Sequence, residues 1–276
     1  MNRREAIRNV IGGVSAGWLG GVRIVEARSP RDNECKSVLG LDGCAALLEG
    51  NCIATPNRIR ALTLHAAPPP PTELPWQDRR SINTSGLSGF DVALSDAVLK
   101  PLSKIFGVRP SFAYYDETQE GGKPNAMASP DTARSNADGS VLFGLKLLNA
   151  LLDAPGGDYA AMAVCAHEYG HIVQFDKQIQ SRIAAQLPCM CIELHADFLA
   201  GHFIGTAMRG RLGSADIQQI GRAWSAWETE SCSHGSNIER VAAIEAGYFN
   251  ALSNSQTEIA SVVEAGITYL ARYRPT

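Results

Sequence analysis

The residues best suited to chemistry are two histidines one helical turn apart, His167 and His171, with Glu168 between them. In a helix the two imidazoles lie about 40° apart around the axis and about 6 Å apart along it, so both can bind one tetrahedral zinc ion. Glu168 is rotated by about 100° from His167 and therefore flanks the metal instead of binding it. This placement suits a general base that takes a proton from water at the metal.

A second pair of side chains, Glu193 and Asp197, is also spaced by four residues and therefore shares one face of a predicted helix. A catalytic zinc needs a third protein ligand and an open fourth position, and Glu193 can supply that ligand. Asp197, one turn further on, can accept a hydrogen bond from the free ring N–H of a zinc-binding histidine. Two antiparallel helices joined by a short loop would bring the two pairs together.

The two segments together resemble the gluzincin zinc metallopeptidases. Residues 167–174, HEYGHIVQ, and residues 193–201, ELHADFLAG, are especially similar to bacterial neutral zinc metallopeptidases and to their CAAX prenyl protease relatives. The resemblance covers about residues 85–250, and it implies a zincin-like domain that hydrolyses peptide bonds with zinc as cofactor. Unlike the prenyl protease relatives, this sequence contains no transmembrane pattern, so a membrane-embedded substrate is not expected.

Two further stretches support the same resemblance. Residues 124–128 and 139–145 are similar to the strand pair that borders the substrate cleft in those enzymes, which implies that a peptide binds there as an added strand. His234, within Ser-His-Gly-Ser, and Arg240 resemble the downstream histidine motif, which implies that His234 steadies the oxyanion. Without the resemblance, His234 is equally well an ordinary loop histidine. Arg240 is expected to be a structural ion-pair partner, and a contact with the substrate is the alternative.

Two neighbours of Glu193 and one alternative function complete the site hypothesis. His195 is rotated by about 200° from Glu193, so we expect it to point away from the metal, either packed or at the surface. We expect Cys191 to form a disulfide instead of binding the metal.

The alternative function is an exported, non-catalytic module in which zinc only clamps two helices. Glu168 argues against it, and structural sites tend to be closed by four protein ligands.

Hydrophobic periodicity and capping signals predict the elements that position these residues. Asp158 is expected to cap a long helix over 159–177, and the capping box of Ser236 and Glu239 is expected to open another. The remaining signals predict strands at 111–115, 125–128 and 140–143, and helices at 88–106, 144–152, 190–208, 214–227 and 256–273. The sequence therefore predicts an α+β fold that is rich in helices and has a small β-sheet.

The first 80 residues contain targeting and linker signals. Residues 1–27 begin with paired arginines before a short apolar run, as in twin-arginine export signals, so we expect export to the bacterial periplasm or the extracellular space. If residues 1–27 stayed attached, a cytoplasmic regulator would be the alternative. A cysteine-bearing segment (28–64) follows. Four consecutive prolines within 65–80 predict a stiff linker or a surface loop, and 81–276 is the expected metallopeptidase domain.

The composition narrows the classes of partner. Of the 276 residues, 45% are hydrophobic and 19% are charged, which allows a sizeable core and excludes wholesale disorder. The net charge of -3 gives no general attraction to nucleic acid, and no apolar run after residue 30 is long enough to span a membrane. We therefore expect a peptide or protein substrate, no nucleic-acid partner and no membrane insertion of the mature chain.

The cysteines agree with export. Six of the seven flank the middle of the chain in two groups of three, and an oxidising compartment would pair some of them. The alternative is that all seven stay reduced as small buried hydrophobes. Cys165 lies inside an apolar helical run, so we expect it to stay reduced in either case.

Overall fold

The structure is a computed structural model that describes residues 64–66, 94–120, 122–131, 137–154, 157–225, 234–254 and 258–273. The predicted export signal and nearly all of the cysteine-bearing segment and linker lie outside the described residues. The described part combines many helices with one small sheet, which confirms the predicted α+β class. Among the described residues no helix is both long and apolar enough to cross a lipid bilayer.

The sheet is mixed and consists of β1 (Leu64–Ala66), β2 (Ser111–Tyr115), β3 (Ala126–Ser129) and β4 (Ser140–Gly144). Its spatial order is β1-β2-β4-β3, with β2 and β4 parallel in the centre and β1 and β3 antiparallel at the edges. Every residue of β2, β3 and β4 is buried, because helices cover the sheet. Three of these strands confirm the sequence prediction. The fourth, β1, was not predicted, and it crosses the expected boundary between residues 64 and 65.

Eight α-helices lie in the described part of the chain. They are α1 (Lys100–Phe106), α2 (Leu145–Asp153), α3 (Gly157–Asp176), α4 (Ile179–Ala184), α5 (Met190–Ala207), α6 (Ser214–Ser225), α7 (Asn237–Ser253) and α8 (Ile259–Leu270). A π-helical stretch, Ser95–Leu99, runs directly into α1, and Pro101 lies in the first turn of α1. Pro101 fits at this position because proline is tolerated in the first turn of a helix.

The helices α3 and α5 form the centre of the domain and carry the two motifs. Almost all of their residues are buried, and hydrophobic side chains surround each helix on every side, as expected for a helix without a solvent face. The helix α3 packs against α5, α6, α2 and β3, while α5 packs against α7, α3 and α8. The two motifs therefore face each other inside the protein.

Glycines bring these helices unusually close together. A Cβ atom on Gly170 of α3 would lie 3.2 Å from the Cα of Ala196 in α5. A Cβ on Gly201 would lie 1.9 Å from the carbonyl oxygen of Ile244, and a Cβ on Gly247 would overlap the backbone of α5 in the same way. Gly170 thus lets α3 and α5 approach closely enough for side chains of α5 to reach the histidines of α3, while Gly201 and Gly247 allow the close packing of α5 against α7.

Local details differ from the sequence prediction at two places. Asp158 is not the N-cap of α3, because the helix already begins at Gly157 and Asp158 lies within its first turn. There its carboxylate accepts a hydrogen bond from the Tyr159 N–H, and its charge suits the helix dipole. The short helix α4 was not predicted, since six residues give too little periodicity to recognise. The capping box of Ser236 and Glu239 is present as predicted.

Candidate metal centre

The two motif histidines lie on one side of α3, as the helical register predicts. His167 and His171 are both buried, and their Nε2 atoms are 3.0 Å apart. Their rings stand nearly perpendicular to each other, with centroids 4.6 Å apart. Two ring nitrogens that point at one location inside a protein can share a single cation.

The third member of the group comes from α5. The Oε2 atom of Glu193 lies 3.2 Å from His167 Nε2 and 3.4 Å from His171 Nε2. Glu193 is fully buried, and within the described residues neither of its carboxylate oxygens receives a hydrogen bond. A buried carboxylate without donors is costly unless a cation neutralises it. The group of His167, His171 and Glu193 could therefore hold a metal ion.

The outer nitrogen of His167 is held by a buried ion pair. Asp197 Oδ1 lies 2.7 Å from His167 Nδ1, so the ring N–H donates to this carboxylate. Arg240 of α7 donates to both oxygens of Asp197, from Nε at 2.9 Å and from Nη2 at 3.0 Å. This fork fixes the carboxylate, and the carboxylate fixes the histidine so that its Nε2 lone pair faces the metal group. Asp197 thus lies where the sequence predicted, and Arg240 is the ion-pair partner that was expected.

The outer nitrogen of His171 is held by a residue that the sequence analysis missed. Gln174 Oε1 lies 3.0 Å from His171 Nδ1. The Gln174 amide donates to the carbonyl oxygen of Ile192 at 2.7 Å, and it also contacts His195 Nδ1 at 3.2 Å. The sequence spacing could have indicated Gln174, since it is three residues after His171 and residues at that spacing are neighbours on a helix.

His195 lies outside the metal group, as predicted, but it is not at the surface. Its ring is fully buried, and Nε2 donates to the carbonyl oxygen of Val263 in α8 at 3.2 Å. Burial lowers the pKa of His195 to about 4, so the ring is neutral at neutral pH. Cys191 was expected to form a disulfide, and this is wrong because it is a buried thiol, as is Cys165. Whether cysteines outside the described residues form disulfides stays a prediction.

Glu168 lies beside the metal group without belonging to it. The side chain is buried, and within the described residues its Oε2 atom has no hydrogen-bond partner. Burial raises the pKa of Glu168 to about 8; His167 opposes this rise and Glu193 adds to it. A buried carboxyl group with a free oxygen and a pKa near neutrality has the properties of a general acid–base group.

His234 lies directly before α7 and close to the metal group. Its Nε2 atom is 3.7 Å from Glu193 Oε2. Burial lowers the pKa of His234, although Glu193 partly opposes this, so the ring is neutral at neutral pH. The structure thus brings His234 to the site from the turn before α7, although the sequence alone allowed an ordinary loop histidine.

The electrostatics of the group favour a positive charge. Burial alone would lower the pKa of His167, but the hydrogen bond to Asp197 and the proximity of Glu193 outweigh it and raise the pKa to about 9. Burial opposes the ionisation of Glu193 and Asp197, yet the nearby histidines and Arg240 hold both pKa values below their ordinary range. Two ionised carboxylates that face the histidines make the site attractive to any cation.

Comparisons with models of known families, with curated proteins and with solved structures give no match for this chain. The chemistry of the site must therefore be inferred from its own geometry. That geometry combines two histidines and a carboxylate around one location with a separate buried carboxyl group beside it. Such an arrangement can hold a cation and can move a proton next to it.

Proposed function

We propose that the protein is a zinc-dependent endopeptidase whose zinc is held by His167, His171 and Glu193. The observation that carries this proposal is the spacing of the three nearest ligand atoms, at 3.0, 3.2 and 3.4 Å from one another. Tetrahedral zinc with bonds of about 2.0–2.1 Å requires ligand atoms about 3.3 Å apart. The donor set also fits zinc, because two imidazoles and one carboxylate are the protein ligands of a familiar class of catalytic zinc sites.

The outer hydrogen bonds support the same assignment. Asp197 and Gln174 each occupy the Nδ1 atom of one histidine, so each ring presents a lone pair at Nε2 once that nitrogen has lost its proton. Two such lone pairs 3.0 Å apart repel each other unless a proton or a metal ion lies between them. Carboxylate–histidine–metal arrangements of this kind are typical of zinc sites.

The proposed reaction is the hydrolysis of a peptide bond. Bound zinc would supply a Lewis acid that polarises the scissile carbonyl and lowers the pKa of water. Glu168 takes one proton from the attacking water while the water oxygen forms a bond to the carbonyl carbon. Glu168 then delivers that proton to the amide nitrogen, the C–N bond breaks, and the amine leaves. The unpartnered Oε2 of Glu168 and the raised pKa of its carboxyl group suit this exchange.

Two further residues assist in this proposal. His234 donates a hydrogen bond from its neutral ring to the oxygen that becomes negative during attack, a role that its position 3.7 Å from Glu193 supports. Asp197 keeps His167 in the orientation that binds zinc, and Arg240 keeps Asp197 ionised. The roles of His234 and Asp197 both require burial, because water would weaken the hydrogen bonds that these two residues form.

We infer that the substrate is a peptide segment in extended conformation. The strand β3 lies at the end of the sheet order and packs against α3, and within the described part of the chain no strand pairs with its outer edge. A peptide that pairs with this edge would lie along the helix that carries the metal ligands. Membership of the gluzincin family, export by the twin-arginine route and disulfides in the exported form belong to the same proposal.

The rival function is a non-catalytic module with a structural zinc. Structural zinc is usually closed by four protein ligands, whereas the group that could hold a metal in the described residues has three members. Glu168 also favours the enzyme, because a structural site does not require a buried carboxyl group whose Oε2 has no hydrogen-bond partner among the described residues.

The test is metal analysis followed by digestion of a diverse peptide library with the full, zinc-loaded chain. We expect about one zinc per chain, and cleavage that stops on treatment with a chelator and returns when zinc is added. Zinc binding without cleavage of any peptide would support the structural module. Cleavage that survives complete removal of the metal would exclude the proposed chemistry.

A further inference from the structure

A chain of three hydrogen bonds connects the ring of His171 to the helix α8. His171 Nδ1 contacts Gln174 Oε1 at 3.0 Å, Gln174 Nε2 contacts His195 Nδ1 at 3.2 Å, and His195 Nε2 contacts the carbonyl oxygen of Val263 at 3.2 Å. The three side chains of this chain are fully buried. Water therefore cannot replace any of its hydrogen bonds, and each residue depends on the next.

Two backbone carbonyl oxygens determine the direction of every hydrogen bond in this series. The carbonyl oxygen of Val263 can only accept, so His195 carries its proton on Nε2, and its Nδ1 accepts from the Gln174 amide nitrogen. The same Gln174 nitrogen donates to the carbonyl oxygen of Ile192 at 2.7 Å, which again can only accept. The Gln174 oxygen must therefore face His171, whose Nδ1 donates and whose Nε2 lone pair points at the metal group.

A separate packing contact connects α8 to the same series of hydrogen bonds. A Cβ atom on Gly266 would lie 2.9 Å from Cδ2 and 3.0 Å from Nε2 of His195, so the backbone of α8 packs directly against this ring. The position of α8 is thereby transmitted to His195 by packing as well as by the Val263 hydrogen bond.

We propose that Gln174 and His195 are positioning residues through which α8 sets the orientation of the metal ligand His171. The inference rests on the metal site of the proposed function, but it does not depend on peptide hydrolysis. The two histidine ligands are then held in different ways: a carboxylate orients His167, whereas a neutral amide orients His171.

The first experiment measures the zinc dissociation constant of the full chain by competition with a chromophoric chelator. Gln174→Met removes the acceptor of His171 but nearly keeps the size of the side chain, and it should raise the dissociation constant by about 10–100-fold. Gln174→Glu keeps an oxygen towards His171 but loses the donor to His195, so it should raise the constant by less than Gln174→Met does. In the cobalt-substituted protein, the visible spectrum should change with Gln174→Met and should be partly restored with Gln174→Glu.

The second experiment tests whether His195 acts through Gln174. His195→Leu should raise the zinc dissociation constant by about tenfold, at the lower end of the effects seen for partners of metal ligands. Because the hydrogen bonds of the described residues connect His195 to His171 through Gln174, the double variant with Gln174→Met should bind zinc no more weakly than Gln174→Met alone. Effects that multiply in the double variant would overturn the proposed connection.

His202 provides the matched control. It is also buried on α5, and it is bonded to Asn250 of α7 at 3.0 Å, away from the metal group. His202→Leu should lower the thermal unfolding temperature and leave the zinc dissociation constant unchanged. If Gln174→Met and His195→Leu affect zinc binding no more than His202→Leu does, their role is structural only and the inference is wrong.

These outcomes separate the inference from the proposed function. Zinc affinities that depend on Gln174 and His195, in a protein that cleaves no peptide, would support the inference and contradict the peptidase. Peptide cleavage by a protein whose zinc affinity does not change when Gln174 or His195 is replaced would support the peptidase and contradict the inference. A wild-type chain that binds no zinc would overturn both.

Discussion

The substitution Glu168→Gln tests the proposed chemistry most directly. Glutamine has nearly the same size and shape as glutamate but cannot take up a proton at neutral pH. Because Glu168 is not one of the residues that offer a ligand atom, zinc content should stay at the wild-type level. Peptide hydrolysis should fall by about 10²–10⁴-fold, the usual contribution of a positioned general base.

The same substitution should affect stability in a direction that the structure fixes. In the metal-free protein, burial raises the pKa of Glu168 from 4.5 to about 8, so the folded chain keeps a proton that the unfolded chain releases above pH 4.5. Glu168 therefore weakens folding progressively as the pH rises from about 4.5 to 8. One unit of pKa corresponds to about 1.4 kcal/mol, so the loss at pH 7 is up to about 3 kcal/mol. Glu168→Gln removes this loss.

The assay combines three measurements on matched proteins. Zinc content is measured by metal analysis, hydrolysis with a peptide found in the library digest, and the stability of the metal-free forms by urea unfolding between pH 5 and 8. The stability gained by Glu168→Gln should grow as the pH rises. Glu168→Asp serves as a second variant that keeps a carboxylate one methylene further back, and it should retain more activity than Glu168→Gln. Hydrolysis at the wild-type rate in Glu168→Gln would refute the role of this residue.

Four further substitutions test the supports of the site. Glu193→Ala should lose zinc during dialysis at neutral pH, and full retention in metal analysis would mean that another group is the third ligand. Asp197→Asn should reduce zinc affinity or turnover by about 10–100-fold with a smaller change in unfolding temperature, and unchanged kinetics would exclude a positioning role. Gly247→Ala should lower stability in urea unfolding by about 1–3 kcal/mol or more, because its Cβ would lie 1.9 Å from the Phe198 carbonyl oxygen. Ser236→Ala should cost about 1 kcal/mol in the same assay, since it removes half of a capping box, and wild-type stability would show that the cap is dispensable.

The parts of the site that the sequence could predict are those that depend on one helix at a time. The separation of His167 and His171 follows from the pitch of a helix, and so does the shared face of Glu193 and Asp197. The structure places all four side chains in one buried group. The capping box before α7 could be predicted for the same reason, because its atoms are three residues apart.

The parts that could not be predicted depend on contacts between helices. His195 was expected to be either packed or at the surface, since the rotation of a residue on α5 says only that it faces away from Glu193. Whether that side meets solvent or protein depends on α8, which supplies Val263 far along the chain. The helices α3 and α5 also lack an amphipathic stripe, because they are buried on all sides. Periodicity then cannot say which neighbour covers which face.

The burial of Glu168 argues for catalysis more strongly than the metal ligands do. Ligands are needed equally by a structural and by a catalytic metal, and His167, His171 and Glu193 would serve either function. A buried carboxyl oxygen without a partner destabilises a protein by about 1–3 kcal/mol, and an apolar side chain at position 168 would avoid this loss. Functional sites are where proteins keep such unfavourable groups, because chemistry requires a free oxygen and a pKa near neutrality. The unpartnered oxygen of Glu168 is therefore the feature that a purely structural metal site would leave unexplained.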